Sequence, residues 1–171
     1  YRAMKDGKGD DIHTFLNENP NTDEAYYKVR DQFKVETPLD NAKRFFYLRK
    51  TCFRGMLRYN KSGKFNIPYG RYKTFNYEEL KDEKYKYVFE GTDIHKKGFE
   101  EVFDMCNDPK DFIFLDPPYD SEFTDYGYCS FGKEEQHKLA ECFKKSKARC
   151  MMVIGKTPLI EELYGPYIKR E

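Results

Sequence analysis

The second half of the chain alternates short apolar runs with helical patterns. The apolar runs are 85–89, 112–115 and 150–154, and patterns of helical period separate them near 96–105 and 133–144. Strands that alternate with helices form parallel sheets with helices on their faces, and such sheets bind ligands beyond the carboxyl ends of their strands. The sequence therefore predicts an α/β fold with three strands, and it directs the search for a site to the residues that follow each run.

One of these runs is followed directly by Asp116-Pro117-Pro118-Tyr119. The two prolines fix φ and lack an N–H, so the loop is stiff and the Pro117 carbonyl is not required by a strand ladder. The Asp116 carboxylate and that carbonyl can together accept both hydrogens of an amino group, while the Tyr119 ring can stack on the attached base. The alternative is an ordinary proline turn after a buried strand. The position after a strand favours a ligand-binding loop.

This set of acceptors suits methyl transfer to an exocyclic amine. The lone pair of adenine N6 is delocalised into the ring, and two acceptors localise it and stabilise the positive charge that develops on nitrogen. Positioning and electrostatics then suffice, with no histidine, cysteine nucleophile or metal. A base paired in a duplex cannot present its N6 to such a loop, so the target nucleotide must be flipped out of the helix.

Charge is distributed unevenly along the chain. The whole sequence has 31 basic and 30 acidic residues, yet residues 41–75 contain ten basic residues, nine aromatic residues and no acidic one. Basic residues interleaved with rings are typical of surfaces that bind a phosphate backbone and exposed bases. The alternative is a solvated helix face with core rings, which accounts for some of these residues. The absence of carboxylates favours nucleic-acid contact.

The first half reads as short helices around a turn. Helical patterns are predicted near 11–17, 22–33 and 38–53, and a short helix near 77–82. Between them, two short alternating segments flank Asn60-Lys61-Ser62-Gly63, whose composition is typical of a turn. We therefore expect a basic hairpin or irregular loop over residues 57–68.

Several functions have no support in the sequence. The five cysteines are scattered without a C-x-x-C pair and the three histidines lack metal-ligand spacing, so we expect free thiols and no metal. No apolar run approaches the roughly 18 residues needed to cross a bilayer. The opening residues 1–6 do not resemble a signal peptide. We therefore expect no membrane partner and a cytoplasmic location.

Two segments resemble the Dam-type, or D12 class, DNA adenine N6-methyltransferases. They are the D-P-P-Y loop and residues 58–73, which match the pattern R-x-N-x-x-G-x-F-N-x-P-x-G-R-Y-K. The resemblance extends over nearly the whole chain, from residues 25–30 onwards. It implies an S-adenosylmethionine-dependent enzyme that flips and methylates adenine in double-stranded DNA, at GATC-like sites, in a bacterial, phage or viral setting that includes restriction-modification.

The resemblance also implies roles for individual residues. Asp116, Pro117, Pro118 and Tyr119 would form the catalytic loop, and Asp93, Ile94 and Asp116 would contact the cofactor. Arg58 would contact a guanine, and Phe53 would lie near the space vacated by the flipped base. Residues 153–157 resemble the strand and loop that follow the catalytic loop. The implied DNA-binding residues are Phe53, Arg54, Arg58, Asn60, Lys64, Asn66, Arg71 and Lys73.

The implied fold is a partial Rossmann-like methyltransferase sheet with an inserted helical and β-hairpin target-recognition region. On this basis residues 1–38 form a helical segment, 39–76 the DNA-binding region, and 77–171 an incomplete catalytic core. The family's glycine-rich cofactor loop has no counterpart, because Gly7-Lys8-Gly9 follows no strand and is interpreted as a surface turn. We therefore expect an N-terminally truncated fragment that binds S-adenosylmethionine weakly or not at all without the missing segment of the same enzyme.

Two positions differ from the family's usual residues, and two other functions remain open. Arg49 and Arg54 stand where the family often has asparagine, which leaves the site preference undetermined. The chain can also be a non-catalytic DNA-binding fragment or remnant of such an enzyme. Finally, the D-P-P-Y loop can serve another planar amine, such as an RNA base or a glutamine side chain.

Overall fold

The computed structural model describes residues 1–120 and 131–170, and the chain divides into two compact units, 1–95 and 96–171. The first unit is helical and the second combines helices with a parallel sheet. This confirms the mixed α/β class. The Rossmann-like detail and the three-part division of the chain remain predictions. Cys129 lies outside the described residues.

The first unit is built from five helices and two 3-10 turns. Threonines begin two of the helices: Thr22 accepts a hydrogen bond from the Ala25 amide, and Thr37 exchanges hydrogen bonds with Asp40 in a capping box. The buried core is contributed mainly by α2, α3 and α4. The bounds are α1 Arg2–Lys5, α2 Gly9–Glu18, α3 Asp23–Asp31, α4 Pro38–Thr51 and α5 Lys84–Phe89, with the turns at Phe53–Gly55 and Glu78–Lys81.

One predicted strand is wrong. Residues 85–89 form helix α5, not a strand. The aromatic residues fit both periods, since Tyr85 and Phe89 are two strand repeats apart and also one helical turn apart. In the structure these two rings pack on the core, whereas Tyr87 and Val88 between them are exposed. The helical period therefore decides the conformation of this segment.

The predicted hairpin is present. Tyr59 pairs with Phe65 in an antiparallel bridge, and the Asn60 amide donates to the Lys64 carbonyl at 2.9 Å. Gly63 has a φ of 73°, a left-handed conformation that favours glycine and lets the chain reverse direction. The hairpin over residues 57–68 is thus closed by backbone pairing on both sides of its turn.

The second unit contains a two-stranded parallel sheet. Strand β1, Phe112–Leu115, pairs with β2, Arg149–Met152, so that Ile113 is level with Cys150. Helix α7 connects the strands, as the βαβ pattern predicts. The helices are α6 Phe99–Met105, α7 Lys133–Lys145 and α8 Pro158–Tyr164, and a 3-10 turn follows at Gly165–Tyr167.

The two faces of this sheet differ. Ile113 packs with Phe103, Leu139 and Ala148 in a buried cluster. On the opposite face Phe112 and Phe114 are each 58% exposed and Met151 is 52% exposed. We call the surface formed by Phe112, Phe114 and Met151 the bare sheet face. No helix among the described residues is long and apolar enough to cross a membrane.

Gly9 corrects the interpretation of Gly7-Lys8-Gly9 as a surface turn. Gly7 does lie in an exposed turn, with a φ of 70°. Gly9, however, is buried at the start of α2, where an added Cβ would overlap the Leu80 carbonyl oxygen. The second glycine is therefore required for close packing, not for a turn.

Candidate functional site

The loop after β1 presents its acidic residue to solvent. The ladder continues to the end of the strand, where the Val153 amide donates to the Leu115 carbonyl at 3.1 Å. Asp116 then follows and is exposed, whereas Pro117 and Pro118 are half-buried. Because the strand ends immediately before it, the Asp116 carboxylate lies at the carboxyl end of the sheet, where parallel sheets bind ligands.

Three contacts hold the end of this loop, at residues 118–120. The Gln136 amide on α7 donates to the Pro118 carbonyl at 2.9 Å. The Tyr119 ring, which is 42% exposed, packs against Gly155, because a Cβ added there would lie 3.5 Å from Cδ2 of the ring. The Thr157 hydroxyl donates to the Asp120 carboxylate at 2.7 Å.

Gln136 and Asp120 were not predicted from the sequence. A contact between a helix residue and a loop carbonyl 18 positions away follows no local pattern, so nothing in the sequence marks Gln136. Thr157 had a signal, since a threonine before a proline is typical of a helix start, and its hydroxyl also accepts from the Ile160 amide at 3.3 Å. The resemblance of residues 153–157 to the loop after the catalytic loop pointed to this region.

The turn of the hairpin depends on Asn60. Its side-chain oxygen accepts hydrogen bonds from the Ser62 amide at 3.0 Å, the Ser62 hydroxyl at 2.7 Å and the Lys64 amide at 2.9 Å. That oxygen is therefore committed to the turn, and the side-chain NH2 is the part of Asn60 available to a ligand. Lys64 itself is exposed beside the turn.

Two predicted DNA-binding residues contact each other across the hairpin. The Arg58 Nε donates to the Asn66 side-chain oxygen at 3.0 Å. An arginine has five N–H donors in a planar fork, so this bond fixes the guanidinium and leaves its two terminal nitrogens for a ligand. These are the nitrogens that bind guanine O6 and N7 in the major groove.

The hairpin is fastened to α3 at one carbonyl. Ile67 accepts a hydrogen bond from the Tyr26 hydroxyl at 2.7 Å and another from Arg30 Nη1 at 3.2 Å. The Arg30 guanidinium also lies 4.5 Å from the Tyr27 ring centroid and pairs with Asp31 at 2.8 Å. The hydrogen bonds from Arg30 hold the pKa of the Asp31 carboxyl below its ordinary value.

Phe53, Arg54 and Arg71 lie where the end of α4 meets residues 68–70. The Phe53 amide donates to the Pro68 carbonyl at 2.9 Å, and the Phe53 ring is exposed beneath the Arg54 guanidinium, 5.3 Å from its centroid. Arg54 and Arg71 have φ values of 53° and 54°, a left-handed conformation that is strained for residues other than glycine and asparagine.

Residues 41–75, which we call the basic segment, form no ion pair with an acidic side chain among the described residues. None of its ten basic side chains lies within ion-pair distance of a described carboxylate. Arg58, Lys61 and Lys64 are exposed on the hairpin, and Arg71 and Lys73 are exposed just after it. The positive charge is therefore available to a polyanion.

Asp93 and Ile94, the predicted cofactor contacts, lie in the first unit beside α1. Lys5 contacts the Thr92 carbonyl and pairs with the Asp93 carboxylate at 3.4 Å, although that side chain is 82% exposed. Arg2 donates to the Ile94 carbonyl at 3.0 Å. The Asp93 carboxylate and the Ile94 carbonyl are thus both engaged by side chains of α1.

The described residues contain no group of three or more His, Cys, Asp or Glu side chains that could hold a metal ion. Within this part of the chain Cys52, Cys106, Cys142 and Cys150 are free. Burial raises the pKa of the Cys52 thiol, which disfavours the reactive thiolate. The expectation that the protein uses no metal remains a prediction.

Comparison with known proteins identifies the class to which this α/β arrangement and acidic loop belong. The model of the D12 class N6 adenine-specific DNA methyltransferases matches residues 1–169. The Type II methyltransferase M.CviBI of Paramecium bursaria Chlorella virus NC1A is 53% identical over 171 residues, which is 100% of this chain and 65% of the relative.

Cellular relatives are more distant. The DNA adenine methylase of Haemophilus influenzae is 32% identical over 91% of this chain and 58% of its own length. The Retron Ec67 DNA adenine methylase of Escherichia coli is 34% identical over 87% of this chain and 54% of its own length. The chain therefore belongs to the D12 class N6 adenine-specific DNA methyltransferase family, and it spans less than two thirds of the length of these relatives.

Proposed function

We propose that this protein transfers a methyl group from S-adenosylmethionine to N6 of a flipped adenine in double-stranded DNA, at GATC-like sites. Family membership supports the reaction class. The observation that favours this role for the site is the exposed Asp116 carboxylate directly after strand β1, followed by two prolines, the second of which is held by α7 through its carbonyl. A stiff pair of acceptors in that position can engage an amino group.

The loop acts on the amine through electrostatics. The Asp116 carboxylate and the Pro117 carbonyl accept the two N6 hydrogens, so the nitrogen lone pair turns towards the methyl group and the growing positive charge is stabilised. No described residue donates to the Pro117 carbonyl, which leaves it free for this purpose. The exposed Tyr119 ring stacks on the extruded base.

The family implies a methyl donor, and S-adenosylmethionine supplies an electrophilic methyl group on a sulfonium. Asp116 fits such a cation because its carboxylate is exposed. Asp93 and Ile94 fit less well, since Lys5 and Arg2 engage them and must move before a ligand can bind there. Gly9 is buried against Leu80 and Gly7 follows helix α1, so neither glycine serves as a cofactor loop. We therefore expect weak donor binding by these 171 residues in calorimetry, and micromolar affinity would contradict this.

DNA binds to the basic segment in this proposal. Lys64, Arg71 and Lys73 contact phosphates, while the terminal nitrogens of Arg58 bind a guanine and Asn66 keeps the guanidinium in place. Phe53 presents an exposed ring and Arg54 a positive charge to the same DNA. Asn60 contributes its side-chain NH2, since its oxygen closes the turn.

The test is methylation of a GATC-containing duplex with labelled donor by the protein expressed from its complete open reading frame. Asp116→Ala removes one acceptor, and we expect a loss of about 100-fold or more in kcat, comparable to the loss of an oxyanion-hole donor. Asp104→Asn, at an exposed site on α6, is the matched control and should retain activity. Undiminished methylation by Asp116→Ala would exclude the assigned role.

A second candidate is a non-catalytic DNA-binding protein or remnant. The unpaired basic segment favours DNA binding independently of the acidic loop. This candidate predicts affinity that falls steeply with salt, together with no methylation by the complete protein. The two measurements separate it from the enzyme.

The same assay tests which class of molecule accepts the methyl group. RNA and glutamine-containing protein serve as competing acceptors, and we expect neither to be labelled, because the hairpin matches a DNA-recognition pattern. Two relatives are Type II methyltransferases, so a restriction partner and a cytoplasmic location where DNA is accessible are part of the proposal.

A further inference from the structure

We infer that Gln136 is a positioning residue that orients the acidic loop by holding the Pro118 carbonyl, an inference that rests on the proposed function. Gln136 lies on α7, one turn before Leu139 and Ala140, and its side chain is fully buried. Its Nε2 donates to the Pro118 carbonyl at 2.9 Å. Nothing else in the described residues donates to that carbonyl.

A loop with two consecutive prolines can be fixed through its carbonyls alone, because the prolines have no N–H to donate. The proline ring fixes φ of Pro118 and the peptide bonds are planar, so ψ is the one free torsion between the Pro117 and Pro118 carbonyls. Holding the Pro118 carbonyl fixes this torsion. The direction of the Pro117 carbonyl, one of the two proposed acceptors, is then set relative to α7.

The chemistry of Gln136 supports a positioning role over a packing role. Its Oε1 is buried and has no hydrogen-bond partner among the described residues. A buried acceptor without a partner is costly, and an apolar side chain of similar length would fill the space without that cost. The amide is therefore best explained by its one hydrogen bond, which leads to the loop.

Further contacts on both sides of the loop support this bond. The Gly132 amide donates to Glu135 at 2.8 Å and fixes the start of α7 immediately before Gln136. On the other side of the loop, Tyr119 rests on Gly155 and Asp120 accepts from Thr157. The Pro118 carbonyl is thus held between a helix and a second anchored segment.

The experiment compares Gln136→Met, which keeps the length but cannot donate, with Gln136→Glu, which donates only when protonated. Misplacement of a reacting group by about 1 Å can cost about 100-fold, so we expect kcat of the methionine variant to fall by about 10- to 100-fold with KM values for DNA and donor within about twofold. The glutamate variant should regain kcat as pH falls, relative to the unmodified protein. His137→Met, at the exposed neighbouring position on α7, is the control.

A readout without activity separates this inference from the proposed function. In NMR relaxation dispersion on the 171-residue chain, the Tyr119 and Asp120 amides of Gln136→Met should show conformational exchange that the His137→Met control lacks, while the core of the second unit is unchanged. Unchanged exchange, or kcat within twofold of the unmodified protein, overturns the inference. If the unmodified protein methylates nothing but the exchange difference appears, the proposed function fails and the anchoring by Gln136 stands.

Discussion

Tyr26 and Tyr47 offer a matched pair of substitutions in the core of the first unit. Both rings are fully buried, and each hydroxyl donates to a backbone carbonyl: Tyr26 to Ile67 at 2.7 Å and Tyr47 to Pro20 at 2.9 Å. Each carbonyl also keeps a second donor when the hydroxyl is removed. Tyr26→Phe therefore loosens the DNA-binding hairpin, while Tyr47→Phe makes the same chemical change away from it.

The expected cost is similar for both substitutions. Each removes one buried hydrogen bond without leaving its carbonyl unpaired, which corresponds to about 1 kcal/mol of unfolding free energy. With an m value of about 2 kcal/mol/M, the urea midpoint should fall by about 0.5 M in either variant. Burial raises the pKa of both phenols, so neither is ionised in the neutral range and the comparison involves no change of charge.

The hairpin distinguishes the two variants. In Tyr26→Phe, hydrogen exchange at the Asn60 and Asn66 amides should accelerate and affinity for DNA should fall, because Ile67 ends the hairpin strand that these amides pair. In Tyr47→Phe both should stay as in the unmodified protein. Equal changes in the two variants, or none in Tyr26→Phe, would refute the idea that α3 fixes the hairpin through Ile67.

Three further predictions concern other parts of the first unit. Gly9→Ala should lower the free energy of unfolding by about 1–3 kcal/mol in urea titrations, because its Cβ would overlap the Leu80 carbonyl. Lys64→Ala should reduce the slope of log Kd against log salt by about 1 in anisotropy titrations, since one phosphate contact is lost. Hydrogen bonds from Thr37 hold the pKa of Asp40 below its ordinary value, so its contribution to stability is present above the unfolded-state pKa and is lost as pH falls through the folded-state pKa. Asp40→Asn should therefore flatten the acid limb of the stability profile measured by urea unfolding.

The helices and strands that the sequence predicts correctly are each indicated by several features at once. Strand β1 is a continuous apolar run stopped by two prolines, and α4 has a threonine cap, a proline at its first position and apolar residues at helical spacing. Several such features in one segment favour a single conformation. Residues 85–89 had aromatic spacing alone, which fits either period, and tertiary packing of Tyr85 and Phe89 decided for a helix.

For the candidate site, the sequence predicts segments but not the contacts within them. A pattern of residues marks Asn60, Arg58 and Asn66 as polar groups for DNA, yet it does not indicate that Asn60 closes the turn or that Asn66 holds Arg58. Gln136 reaches the loop through the packing of α7 on the sheet, which depends on the folded geometry. Pairwise contacts of this kind have no signature in composition or spacing.

The bare sheet face has a practical consequence for handling the protein. In the described part of the chain β1 and β2 each have an open edge, and Phe112, Phe114 and Met151 expose more than half of their surface beside those edges. Open edges and uncovered rings are the features through which separate molecules stack and precipitate. Concentrated samples should therefore scatter light and sediment as oligomers. Phe114→Lys should reduce both the scattering and the oligomers.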